Sequence, residues 1–153
     1  MTTADSARTG HRTNVQKAAL AVGAVFLLTG LLGFVPGITS NYEELEFAGH
    51  ESGALLLGLF QVSVLHNIVH FLYGVAGVAL ARSYSGARSF LLYGGIIYLV
   101  LWIYGLVVDQ NSAANFVPLN GADDWLHLFL GVGMIALALL LTRDRDRTEA
   151  SRV

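Results

Sequence analysis

Apolar residues gather into four runs, 16–34, 53–81, 89–108 and 124–142, and polar residues fill the segments between them. A helix needs roughly 20 apolar residues to cross a hydrocarbon core of about 30 Å, and each run reaches that length or comes close to it. The pattern predicts an all-α membrane fold, a four-transmembrane-helix bundle over 15–142. A disordered cytoplasmic tail is expected at 1–14 and a second cytoplasmic tail at 143–153. The segment Gly33-Phe34-Val35-Pro36-Gly37 closes the first run without a small-x-small cleavage site, so that run is expected to stay as a span. Its Pro36-Gly37 stops the helix and turns the chain. The second run is longer than one crossing requires. Either this helix tilts and protrudes as one long span, or its first part, 54–60, lies along the outer interface or bends away, the arrangement that the depth of the histidines favours.

Charge orients these spans. The nine Lys and Arg residues occupy three segments. Arg8, Arg12 and Lys17 flank the start of the first run, Arg82 and Arg88 lie between the second and third, and Arg143, Arg145, Arg147 and Arg152 follow the fourth. The other two connections carry Glu43, Glu44, Glu46 and Glu51, then Asp109, Asp123 and Asp124, with no base among them. Short loops rich in Lys and Arg stay cytoplasmic. The alternation therefore predicts a multi-pass protein of the plasma (inner) membrane with both termini inside.

Composition agrees, with 54% hydrophobic and 13% charged residues against about 25% charged in a soluble domain. The absence of cysteine excludes disulfides, thiolate metal ligands and thiol redox chemistry. The C-terminal arginines alternate with Asp144, Asp146 and Glu149, which leaves no basic patch for nucleic acid. The expected partner is the lipid bilayer. Small residues such as Ala19, Gly23, Gly30, Gly74, Gly94 and Gly131 let helices approach closely in that solvent.

Spans two and four share a pattern. Asn67, His70, Gly74, Val75, Ala79 and Leu80 recur 57 positions later as Asp124, His127, Gly131, Val132, Ala136 and Leu137. Spans one and three align more weakly, through Gly30-Leu31 and Gly105-Leu106. A 2+2 hairpin pseudo-repeat is expected, two hairpins of one membrane orientation related by a two-fold along the membrane normal. At roughly 1.5 Å per residue, His70 lies about 18 Å from Arg82 and His127 about 24 Å from Arg143. Both histidines are thus predicted in the outer half of the hydrocarbon.

His66 and His70, four positions apart, share a helical face. With Asn67, Asp123, Asp124 and His127 they form a candidate cluster near the outer surface. Ionisable groups at membrane depth are costly and face the interior or a wet cavity. Three chemistries fit, with protonation sensing as a further reading. His66, His70 and His127 with Asp123 or Asp124 form a ligand set for zinc, copper or iron. His70 and His127 could instead ligate a haem from opposite sides, with Tyr98 and Trp102 lining the cavity. The third is a structural polar network in which the histidines hydrogen-bond to Asn67 and the aspartates, Asp123 caps span four and Asp124 sits in its first turn. The residue after His66 is Asn67, where the zinc-protease helix needs Glu.

No Gly-x-Ser-x-Gly elbow, phosphate loop or dinucleotide fingerprint occurs. The leading expectation is therefore a non-enzymatic membrane component, acting as a subunit, partner or envelope-stress accessory. A metal- or haem-binding redox protein and a small transporter subunit are the alternatives. Four spans enclose little pore volume, so transport would need a homo-oligomer or a membrane-protein partner.

Four segments carry a family resemblance: Gly30-Leu31-Leu32-Gly33-Phe34-Val35-Pro36-Gly37, Leu57-Gly58-Leu59-Phe60, Leu65-His66-Asn67-Ile68-Val69-His70, and Asn120-Gly121-Ala122-Asp123-Asp124-Trp125-Leu126-His127. Together they resemble a family of small bacterial four-span membrane proteins known as a domain of unknown function. The similarity runs from about Val15 to Leu141. The resemblance implies the four-span topology and no particular substrate.

Overall fold

The computed structural model describes residues 12–150, with side chains over 12–142. Most of the predicted 1–14 tail lies outside the described residues. The fold is mostly helical, with α1 at Asn14–Leu32, α2 at Val64–Leu80, α3 at Tyr84–Val107 and α4 at Gly121–Ala150. Three helices, α1, α3 and the Gly121–Thr142 part of α4, are long and apolar enough to cross a membrane, and α2 is a shorter apolar helix. The helix α4 runs to Ala150, where the sequence pattern predicts a tail. Alternating Arg and Asp with no Gly or Pro offers nothing to stop it.

Side-chain caps set the helix starts. Thr13 and Gln16 form a capping box at α1. The Gln16 Nε2 also donates to the Ala81 and Arg82 carbonyls at 3.2 and 3.0 Å, tying the start of α1 to the end of α2. Ser63 caps α2 and Ser83 caps α3, each accepting a backbone N–H at 3.1 Å. At α4 the cap is Asn120 rather than the predicted Asp123. The Asn120 Oδ1 accepts from the Ala122 and Asp123 amides, and Asp123 Oδ2 reaches back to accept from the Asn120 amide at 3.0 Å.

The second apolar run is not helical throughout, because α2 begins only at Val64. Before it, β2 (Leu55–Leu56) pairs antiparallel with β3 (Phe60–Gln61) and, on its other side, with β1 (Thr39–Ser40). Leu57 and Gly58, at φ 55° and 70°, reverse the chain between β2 and β3. Residues 54–60 thus leave the helix axis as a hairpin. Ala54, Leu56 and Val62 bury against Leu32 and Ile38, a small second core at the end of α1.

α1 packs along α2 and α3 along α4, while α2 and α3 touch little. The main core between the pairs includes Phe26, Phe90, Leu91, Tyr98 and Met134. Outer faces stay apolar: Val25, Leu28, Val100, Leu106 and Phe129 are each more than half exposed, which suits helices solvated by lipid.

The same contacts recur in the two helix pairs. A Cβ on Gly74 would stand 2.8 Å from the Gly23 carbonyl oxygen, and one on Gly131 would stand 3.0 Å from that of Gly95. Gly33 lies against the Asn67 side chain as Gly105 lies against that of Asp124. Phe26 meets His70, and Tyr98 meets His127, at ring-centroid distances of 5.6 and 5.1 Å. The contacts therefore match Gly33, not Gly30, to Gly105. The sequence alignment of α1 with α3 is shifted by three residues from the one the packing follows.

Candidate functional site

The first turn of α2 carries His66 and the next carries His70, with ring centroids 4.3 Å apart. One peptide group orients the first of them. The His66 Nδ1–H donates to the Gln61 carbonyl at 2.9 Å, and the Gln61 N–H donates to Asp123 Oδ2 at 3.1 Å. Strand β3 thus ties the start of α2 to the start of α4. The His70 Nδ1–H donates to the His66 carbonyl at 3.1 Å. A carbonyl only accepts, so Nδ1 is the donor in both rings. In the neutral imidazole Nε2 then keeps its lone pair.

His127 in α4 is 4% exposed. Its Nδ1 is buried with no hydrogen-bond partner among the described residues. Its ring packs on Tyr98, which packs on Phe26 at 5.3 Å. A continuous series of ring contacts therefore runs from His66 through His70, Phe26 and Tyr98 to His127, drawing on all four helices.

Two cavities meet at the imidazoles. The larger, about 310 Å³, lies among α2, α3, α4 and the 108–120 connection, and is lined by His66, His70, His127 and Tyr98 among largely apolar neighbours. The smaller, about 100 Å³, lies under the β-hairpin and shares the three histidines, with Thr29, Phe60 and Asp123.

The sequence-predicted residues separate into two groups. His66, His70 and His127 line both cavities, and Asp123 lines only the smaller. Asp124 and Asn67 line neither. The Asp124 Oδ2 accepts from Gln110 Nε2 at 2.9 Å, while Asp124 Oδ1 and Asn67 Nδ2 are buried without partners. Among the described residues, no three His, Asp or Glu side chains are disposed to hold a metal ion together. Tyr98 lines the larger cavity and Trp102 lines neither. Sequence reasoning missed Gln61, which acts through its backbone and so leaves no residue-type signature. It also missed Phe26, which the 72-residue correspondence with Tyr98 could have flagged. Tyr104 gave no signal either; its hydroxyl donates to the Ala114 carbonyl and holds the 108–120 connection against the cavity.

Nε2 lone pairs on adjacent imidazoles can accept hydrogen bonds from a ligand or coordinate a borderline metal. Among the described residues the hydrogen bonds of the His66 and His70 rings go to backbone carbonyls and not to a carboxylate.

Four helices, three of them long and apolar enough to cross a membrane, around a histidine-lined cavity are consistent with a membrane protein. The chain belongs to the family described as Domain of unknown function (DUF4383), whose model matches residues 16–140. No curated protein and no solved structure matches it.

Proposed function

We propose that this chain is a non-enzymatic component of the bacterial plasma membrane that holds a small molecule in the histidine-lined cavity. It crosses the bilayer four times as a helical bundle, with both termini on the basic, cytoplasmic side and the histidine cluster toward the outside. It is built as two related helix pairs, α1–α2 and α3–α4. Two features support the repeat: the 57-residue pattern linking α2 to α4, and the recurrence of the Gly23–Gly74, Gly33–Asn67 and Phe26–His70 contacts as Gly95–Gly131, Gly105–Asp124 and Tyr98–His127. With both termini of each pair on one side, the pairs share one membrane orientation.

The observation that carries the ligand-binding reading is the cavity of about 310 Å³ where the pairs meet, with three imidazoles on its wall. That volume falls at the lower end of the roughly 300–1,000 Å³ typical of small-molecule sites. The unpartnered Nδ1 of His127 supports the same reading, since buried polar groups are ordinarily satisfied by protein, water or ligand.

One observation favours metal as the second reading. Both α2 histidines give their Nδ1–H to a backbone carbonyl, the outer-shell arrangement that orients metal-binding imidazoles. Metal analysis, an absorption spectrum and mass spectrometry of solvent extracts, all on detergent-purified protein, separate the two. A stoichiometric organic molecule, lost in His70→Ala, is expected. Stoichiometric zinc or copper lost in His66→Ala would replace it with a metal site, and a Soret band lost in His70→Ala or His127→Ala with a haem site.

A further inference from the structure

The wall of the larger cavity specifies both ends of an occupant. On its rim, Val69 of α2, Val100 of α3 and Phe116 are 44%, 60% and 59% exposed. These apolar side chains belong to α2, α3 and the 108–120 connection, and α2 and α3 touch little. The mouth therefore opens sideways, toward the surface that the membrane reading assigns to lipid. Inside, the wall carries the Tyr98 hydroxyl and the His127 imidazole, each able to donate, and, fixed by the backbone, the imidazoles of His66 and His70. Their Nδ1–H groups are committed to backbone carbonyls, which presents Nε2 as an acceptor in each neutral ring.

The polarity of these groups selects the ligand. A ketone, ether or ester offers only lone pairs, so it can accept from Tyr98 or His127 but leaves the Nε2 acceptors of His66 and His70 without a donor. A carboxylate or phosphate meets no Lys or Arg on this wall. A hydroxyl supplies the donor that the two Nε2 acceptors need and can itself accept from Tyr98 or His127, and burying it without an acceptor elsewhere would be costly. Resting on the ligand-binding reading above, we infer that the cavity takes an amphipathic hydroxyl compound. Such a ligand is an apolar body bearing a phenolic or alcoholic O–H, and it enters laterally between α2 and α3. Its hydroxyl donates to Nε2 of His66 or His70. The body lies against Val69, Val100 and Phe116, and whatever exceeds the cavity volume extends into the acyl chains.

Three apolar probes of similar size test this: 4-octylphenol, its methyl ether, and 1-decanol as the aliphatic alcohol. Each is titrated into ¹⁵N-histidine-labelled full-length protein in lipid nanodiscs. The phenol or the alcohol is expected to shift the His66 and His70 Nε2 resonances saturably, and whichever binds tighter tells an aromatic from an aliphatic source. The methyl ether should bind at least tenfold more weakly, because a site built around a hydrogen bond rejects an analogue that cannot make it. His70→Gln should narrow that gap. Val100→Trp, a change on the exposed rim that leaves the buried rings in place, should abolish saturable binding of all three.

Equal affinity for phenol and ether would overturn the hydroxyl assignment while leaving the cavity as a ligand site. Undiminished binding in Val100→Trp would overturn the lateral route. Saturable binding of none of the probes, in protein whose extracts also contain no organic molecule, would remove the ligand-binding reading itself.

Discussion

Phe26 of α1 and Tyr98 of α3 meet ring against ring, their centroids 5.3 Å apart and their planes at 32°. Each also packs on the histidine of its own helix partner, Phe26 on His70 and Tyr98 on His127. Both aromatics are nearly fully buried, at 3% and 5% exposure. The two imidazoles at the cavity are thus backed by a rigid aromatic pair at the junction of the helix pairs. Aromatic pairs of this geometry contribute about 0.5–1.5 kcal/mol beyond area burial. The larger consequence is positional, since the rings hold α2 and α4 at the spacing that leaves the cavity open.

The recurring glycine crossings should fail alike. Gly74→Ala and Gly131→Ala each place a methyl against backbone of the neighbouring helix, and overpacking of this kind costs about 1–3 kcal/mol. Gly133→Ala meets nothing within 4 Å and should be neutral or gain up to about 1 kcal/mol from helix propensity. Thermal unfolding in detergent, followed by size-exclusion chromatography, reads all three. If Gly131→Ala behaves like Gly133→Ala, α3 and α4 do not cross as closely as described.

Asp124 presents the opposite case, in which a substitution should help. Its Oδ1 is buried against Gly105 with no donor among the described residues, and Asn67 occupies the corresponding notch beside Gly33 as a neutral side chain, its Nδ2 likewise unpartnered. Asp124→Asn keeps an acceptor for Gln110 and the side-chain shape while removing a poorly satisfied buried charge, which is costly to leave unpaired. The variant should unfold at a higher temperature than the parent, or at the same one. A marked drop would show that the carboxylate has a partner or a task that the packing does not reveal.

Four helices could be read from the four apolar runs because a membrane-length run constrains length and polarity together. The hairpin at 55–61 could not. Leu55, Leu56, Leu57 and Leu59 are as apolar as a helix face, and only Gly53, Gly58 and the Ser63 cap mark the break. Among the candidate site residues, the four-residue spacing of His66 and His70 sufficed to put their rings side by side. The separation of Asp123 from Asp124 was beyond reach. Adjacent residues on a helix point about 100° apart, so Asp123 turns to Gln61 while Asp124 turns to Gln110. Which neighbour each would meet depended on how α4 is rotated, and that rotation is set by Gly95 and Gly131.

The four-span topology is open to a direct test because the chain has no cysteine. Glu43 and Ala113 are exposed positions in the α1–α2 and α3–α4 connections, and Ser85 is exposed in the first turn of α3, beside the α2–α3 connection. In single-cysteine variants, Glu43→Cys and Ala113→Cys should react with a membrane-impermeant maleimide in intact cells. Ser85→Cys should react only after permeabilisation. Labelling of Ser85→Cys in intact cells would invert the topology. Labelling of Glu43→Cys and Ala113→Cys on opposite sides would mean that α2 and α3 do not both cross, a pointed question for an α2 of 17 residues.

The tautomers of His66 and His70 decide what the cavity can recognise, and they can be observed without any ligand. Each ring gives Nδ1–H to a carbonyl, that of Gln61 for His66 and that of His66 for His70. Both should therefore appear as Nδ1–H tautomers in ¹⁵N spectra of histidine-labelled protein, with His66→Gln and His70→Gln assigning the signals by their loss. Loss of His66 also removes a link to β3, the bond to the Gln61 carbonyl, while the Gln61 amide still holds Asp123 and its side chain still holds the His50 and Ser52 carbonyls. Amide exchange at Gln61 should accordingly quicken in His66→Gln and stay unchanged in His70→Gln. If the spectra instead show Nε2–H on both rings, the carbonyl bonds are absent. The cavity would then present donors rather than acceptors, and its ligand would have to carry lone pairs instead of a proton.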